Sequence, residues 1–173
     1  IEVEKFVSEG RRFDTVIVDL PDPSHPDLNK LYSDFFYARL KEILSGDGAM
    51  VVQSTSPYHA KKAFISIGKT VRSAGYLTEQ YHTNVPTFGE WGWTIGTVRG
   101  LMASQRIVQV EKMPVADSWV SKEALEAAFI FAPSYFADTD RIEINHLGSH
   151  QVYRYHHEAW ENADGVFFAQ VKD

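Results

Sequence analysis

The run Thr15-Val16-Ile17-Val18 leads straight into Asp19, and residues 49–53 (AMVVQ) repeat the pattern beyond one amphipathic stretch. Runs that are apolar at every position, rather than at alternate positions, suit strands of a parallel sheet buried on both faces. Between them, Ser33 reads as an N-cap, and Phe35, Phe36, Leu40, Ile43 and Leu44 fall at helical spacing up to a stop at Gly46. Strand, helix and parallel strand make a unit whose crossover is right-handed. The chain therefore belongs to the α/β class.

The remaining pattern extends this unit. Residues 1–9 carry a weak apolar stripe (Ile1, Val3, Phe6, Val7) closed by Gly10. Ser56-Pro57 reads as an N-cap followed by proline in the first helical turn, and the helix places Ala63, Phe64, Ile67 and Val71 on one side before Gly75. Residues 76–85 and 91–98 read as strands. Their connection, Pro86-Thr87-Phe88-Gly89-Glu90, is short enough for an antiparallel pair. Beyond Gly100 the periodicity weakens. Ser121 caps an expected helix to about Phe131, and residues 152–155 and 166–171 read as short strands. The expected organisation is a unit over residues 1–100 with a connector and C-terminal extension over 101–173.

Composition narrows the function. The formal charge of −6 disfavours a nucleic-acid backbone as partner. The absence of cysteine removes disulfides, thiolate metal sites and thiol nucleophiles. His146, His150, His156 and His157 show no metal-ligand spacing with an acid, and adjacent His156 and His157 would point to opposite faces of a strand, so no metal site is expected. The chain begins at Ile1 within helical sequence, and the expectation is a piece of a longer protein.

Three segments carry candidate chemistry. The first is Asp19-Leu20-Pro21-Asp22-Pro23, where two carboxylates lie at the carboxyl end of a parallel strand, the edge at which ligands bind in open α/β sheets. An alkyl amine has a pKa of about 10.4, so making it a nucleophile at pH 7 costs roughly 4–5 kcal/mol. One positioned carboxylate can accept that proton, and a second can hold the rest of a diamine. The same residues also suit a loop cap and an Asx-turn. The second segment is Gln53-Ser54-Thr55-Ser56-Pro57-Tyr58, on the same sheet edge. The third is the connection holding Phe88, Glu90, Trp91 and Trp93. An acid among aromatic rings can hold an aliphatic cation, while a hairpin with its rings in the core fits equally for Glu90 and Trp91 and better for Trp93.

Together, VIVDLPDP (16–23), LYSDFFYARLKEILSGDGAMVVQSTSPY (31–58) and VPTFGEWGW (85–93) resemble the second half of the polyamine aminopropyltransferases, the spermidine synthases. VSKEALEAAFIFAPSYF (120–136) and INHLGSHQVYRYHHEAW (144–160) further resemble the tail of a subfamily with a membrane region fused upstream. The resemblance implies a Rossmann-like class I methyltransferase fold whose parallel strands end in an antiparallel pair, here as its C-terminal half with a small extension.

It also implies roles. Asp19 is the catalytic base. Asp22 and Gln53 contact the diamine, and Phe88 stands where many members have a substrate-contacting tyrosine; Tyr58, Glu90 and Trp91 join the diamine set on their own chemistry, Glu90 having no equivalent in the common soluble members. Asp19, Leu20 and Pro26 touch the donor, decarboxylated S-adenosylmethionine, which is a co-substrate rather than a tightly bound cofactor. Leu20-Pro21 replaces a more usual pair of small hydroxyl residues. The glycine-rich nucleotide loop and the acids that hold ribose and adenine would lie upstream of Ile1, so the main donor site is expected to be missing and the isolated chain inactive. The implied acceptor is putrescine or a similar diamine, and the implied setting is a cytoplasmic domain of a bacterial inner-membrane protein. The first strand would be an open edge, expected to pair with another copy. A small-molecule methyltransferase and a non-catalytic polyamine-binding domain of a membrane protein are the alternative readings.

Overall fold

The computed structural model describes the backbone of residues 2–114 and 120–169 and the side chains of these residues up to Glu161. Helix α1 (Glu2–Ser8) precedes strand β1 (Phe13–Val18), and a 3₁₀ helix (Pro26–Tyr32) leads into α2 (Asp34–Glu42). Strand β2 (Leu44–Gln53) is followed by α3 (Lys61–Ser73), then by the hairpin β3 (Leu77–Val85) and β4 (Gly89–Thr97). Helices α4 (Ala103–Val108), α5 (Lys122–Ala127) and α6 (Gln151–Ala169) complete the order.

The sheet order is β1-β2-β4-β3. β1 and β2 are parallel, and β4 runs antiparallel to both of its neighbours, β2 and β3. The expected Rossmann-like sheet ending in an antiparallel pair is present, with β4 inserted between β2 and β3. Two glycines permit the insertion. A Cβ on Gly92 would lie 2.5 Å from the Phe64 ring, and one on Gly96 would lie 2.8 Å from the Tyr76 ring. Their bare backbone lets those rings of α3 and the following turn sit directly on the sheet.

The core lies between this sheet face and helices α2, α3 and α6. Met50, Val52, Ile67, Val71, Tyr37 and Val152 have no exposed surface. Burying such a side chain contributes about 1.5–3 kcal/mol. The expected stripe Ala63, Phe64, Ile67 and Val71 is wholly buried. The other sheet face is open. Ile17 is 74% exposed and Val51 half-buried, so burial of β1 on both faces is not realised among the described residues.

Several boundaries differ from expectation. α2 stops at Glu42, and the Ser45–Gly48 stretch forms an irregularity in β2, where the register with β1 shifts between Phe13↔Leu44 and Thr15↔Ala49. Ser56 does not cap α3. Its hydroxyl accepts from the His59 N–H at 3.3 Å and its carbonyl from the Ala60 N–H, closing a separate turn before a helix that begins at Lys61. Ser121 does cap α5, which is shorter than expected. The strands read at 152–155 and 166–171 are not strands: residues 151–169 are helical, and 170–171 lie outside the described residues. Among the described residues, no helix is long and apolar enough to cross a membrane.

The helix α6 is tied down by one side chain. Asn145 is fully buried. Its Oδ1 accepts from the N–H groups of Gln151 and Val152 at 2.9 and 3.2 Å, satisfying donors that a helix N-terminus leaves open. Its Nδ2 donates to the carbonyls of Asn29 and Tyr32, both at 3.1 Å. The extension is thereby bolted to the 3₁₀ helix that follows the Asp19–Asp22 loop.

Candidate active site

The loop beyond β1 meets the end of β2 through Gln53. Gln53 Nε2 donates to Asp22 Oδ1 at 2.6 Å, while its Oε1 accepts from the Thr55 N–H at 3.2 Å. A backbone donor on one side and a carboxylate on the other fix which end of the amide is which. Tyr32 donates to the Pro21 carbonyl at 2.8 Å and lies 3.5 Å from Gln53 Oε1. Burial first, then the charges of Asp22 and Asp19, push its hydroxyl far above the usual phenol range, so it stays a donor.

Thr55 Oγ1 approaches Asp22 Oδ2 at 3.4 Å. Thr55 is buried and has φ of 62°, a left-handed conformation that a β-branched residue adopts at a cost of about 1–3 kcal/mol. The cost falls where the chain must turn a donor toward the carboxylate.

Asp19 is exposed and opens on a groove of about 380 Å³ on the uncovered sheet face. Ile17 and Val51 form its floor, Gln53 and Asp19 its polar end, and Tyr81, Trp93, Trp91 and Phe88 its wall. Tyr81 and Trp93, opposite each other in β3 and β4, stack with ring centroids 5.5 Å apart. Phe88 and Trp91 lie 5.4 Å apart at the hairpin tip, with Phe88 69% exposed. A groove of aromatic faces with an acid at one end suits an aliphatic ammonium.

The structure thus brings Asp19, Gln53, Phe88 and Trp91 into one groove and fastens Asp22 to it through Gln53. It does not bring in Glu90 or Tyr58. Strand alternation turns Glu90 to the face opposite Trp91, where it pairs with His82 Nδ1. His82 Nε2 faces the Ile130 carbonyl at 2.9 Å, and Tyr58, 55% exposed, packs edge-on against His82 and Tyr135. Leu20 packs against the core, and Pro26 opens the 3₁₀ helix.

The residues that sequence reasoning missed are Tyr32, Tyr81, Thr55 as a donor, and His156. His156 of α6 is almost wholly buried, with Nε2 3.3 Å from Asp22 Oδ2. Val152 and His156, buried and spaced by four, with the half-exposed Trp160 one turn further on, were its helical signal.

A sequence profile of the Spermine/spermidine synthase domain matches residues 3–106. The chain belongs to the spermine/spermidine synthase family. It is 54% identical over 164 residues to the polyamine aminopropyltransferase of Shewanella oneidensis, covering 95% of this chain and 29% of that protein. It is 42% identical over 120 residues to that of Mycobacterium tuberculosis, covering 69% of this chain and 22% of the other. The chain spans less than a third of the length of these relatives. Among solved structures, spermidine synthase in complex with the transition state analogue AdoDATO superposes with a TM-score of 0.59 at 18% identity, over 76% of this chain and 46% of that one. Spermidine synthase from Thermotoga maritima gives 0.54 at 17% identity, over 75% and 45%. These two likenesses support the fold.

Proposed function

We propose that this chain carries the acceptor side of an aminopropyltransferase active site. The observation that carries the reading is the aromatic groove ending at Asp19, with Asp22 held beside it by Gln53. Asp22 anchors the distal ammonium of putrescine or a similar diamine, and the methylenes lie along Trp91, Trp93 and Phe88. Asp19 takes a proton from the reacting nitrogen. The new C–N bond forms as the C–S bond of decarboxylated S-adenosylmethionine breaks, the electron pair goes to sulfur, and the donor leaves as a neutral thioether. The sulfonium supplies its own leaving group, so the protein's work is orientation and proton removal.

Leu20 and Pro26 are assigned to the donor side, whose remaining residues we place in the longer protein. Residues 1–100 are the catalytic part and 101–173 the extension in this reading, and the isolated chain is expected to show no turnover. A membrane region in the longer protein and self-association of the isolated chain through the β1 edge are part of the same proposal, the latter checked by light scattering of the isolated chain at high concentration, where a monomer would count against it.

The test is steady-state kinetics with putrescine on the full-length protein. Asp19→Asn should lower kcat by 10²-fold or more, on the order expected for loss of a general base. Asp22→Asn should act mainly on KM, raising it about tenfold or more, as for a charge-assisted contact. Wild-type kcat in Asp19→Asn would remove Asp19 from the chemistry.

A further inference from the structure

A single nitrogen beside the amine anchor faces two partners that it cannot satisfy together. His156 Nε2 receives the Trp160 indole N–H at 2.9 Å and lies 3.3 Å from Asp22 Oδ2. An indole N–H only donates, so it requires a lone pair on Nε2. An ionised carboxylate only accepts, so it requires a proton on the same atom. In the neutral ring, Nε2 is held by Trp160, and Asp22 keeps its full charge, supported by Gln53 and Thr55. In the imidazolium, Nε2–H turns to Asp22 and the indole bond is given up.

We propose that His156 is a positioning residue that gates Asp22: neutral, it leaves the carboxylate free for the ammonium of the acceptor, and protonated, it occupies that carboxylate in the ammonium's place. This rests on the assignment of Asp22 to the amine and deepens it, because it puts control of acceptor binding in α6, outside the matched family domain. The site is built for such control. The imidazole is 6% exposed against 21% for the Asp22 side chain, so little solvent screens the pair.

Asp22 is the only acid recorded in hydrogen-bond contact with the ring among the described residues. Of the neighbouring elements, the 3₁₀ helix contributes Tyr32, which senses both Asp22 and Asp19, and the turn before α3 contributes His59, whose ring centroid lies 4.1 Å from that of Trp160. Beyond them lie the Lys62–Glu158 pair at 3.0 Å between α3 and α6, and the His157–Glu161 pair at 3.1 Å on α6 itself. Linkage makes the effect reciprocal: a bound diamine must favour the neutral ring as much as the charged ring disfavours the diamine.

The experiment measures KM and kcat for putrescine on the full-length protein from pH 6 to 8.5, a range over which imidazoles titrate. The wild-type KM should rise as the pH falls, with a limiting slope of about tenfold per pH unit, that of one competing proton. His156→Gln should flatten that rise in KM without flattening whatever pH dependence kcat shows. Trp160→Phe removes the donor that holds the neutral ring, and should move the rise in KM to higher pH. Should His156→Gln fail to fold, Trp160→Phe and the ring signals of His156 by NMR carry the test, with added putrescine expected to shift the ring's titration to lower pH. A KM profile unchanged by both substitutions, or a titration indifferent to putrescine, overturns the proposal. If Asp22→Asn still raises KM in that case, the gate alone is wrong. If Asp22→Asn leaves KM unchanged, the amine assignment itself has failed.

Discussion

At the scale of single residues, the site depends on atoms with no spare room. Gly92 shows this most directly, because its backbone N–H donates to the Thr55 carbonyl while Phe64 covers its Cα. A methyl group there would meet the Phe64 ring at 2.5 Å and the Thr55 carbonyl at 3.0 Å. Overpacking of this kind costs about 1–3 kcal/mol, so Gly92→Ala is expected to lower the urea midpoint without changing its slope. An unchanged midpoint would mean that Phe64 moves aside freely. Because Thr55 also turns its hydroxyl to Asp22, the same substitution should raise the KM for the diamine as well.

At the scale of elements, the decisive piece is α6, and Asn145 decides whether it docks. Asn145→Ala removes the cap of α6 and leaves the Asn29 and Tyr32 carbonyls without their donor in a buried place. A loss of about 2–4 kcal/mol follows from several buried hydrogen bonds and one cap failing together, read by denaturant unfolding. Asn145→Asp should not rescue it, since a carboxylate restores the cap but not the donors.

Here the sequence was only partly legible. The apolar runs at 16–18 and 49–52, separated by a helical stretch, announced the parallel pair, although β1 turns Ile17 to an open face rather than burying both. Residues 152–155 misled because Val, Tyr and Tyr favour strands and alternate with Arg154, whereas the buried side chains are Val152 and His156, four apart. Ser56-Pro57 misled for a different reason. It is a valid cap, but of the turn closed by His59 and Ala60. Asp19 and Gln53 could be placed from the sheet edge alone, whereas Trp91 stood evenly between groove and core until the hairpin register was known. The separation of Glu90 from Trp91 follows from strand alternation once β4 is known to start at Gly89.

At the scale of the whole molecule, burial of tyrosine sets the alkaline limit of stability. Desolvation raises the hydroxyls of Tyr32, Tyr37, Tyr76, Tyr81 and Tyr135, with Tyr81 pushed up to about 12. A folded-state pKa above the unfolded value means that the native state holds its proton longer. The contribution is complete below about pH 10 and is lost as pH rises from there through the folded value. Denaturation midpoints should therefore fall between pH 9.5 and 12, and Tyr81→Phe should make that fall shallower. A mutant whose midpoints track the wild type over this range would show that Tyr81 titrates alike in both states.

The insertion of β4 between β2 and β3 also carries a kinetic consequence. The last strand among the described residues, β4, is an inner one, so this part of the sheet cannot zip up in chain order. The hairpin, whose partners are near in sequence, is expected to close first, and its docking onto the waiting β2 edge, a contact across 40 to 48 residues, then sets the pace of folding. Pulsed amide exchange should find the β3–β4 hydrogen bonds protected before those between β2 and β4, and the reverse order would exclude this route.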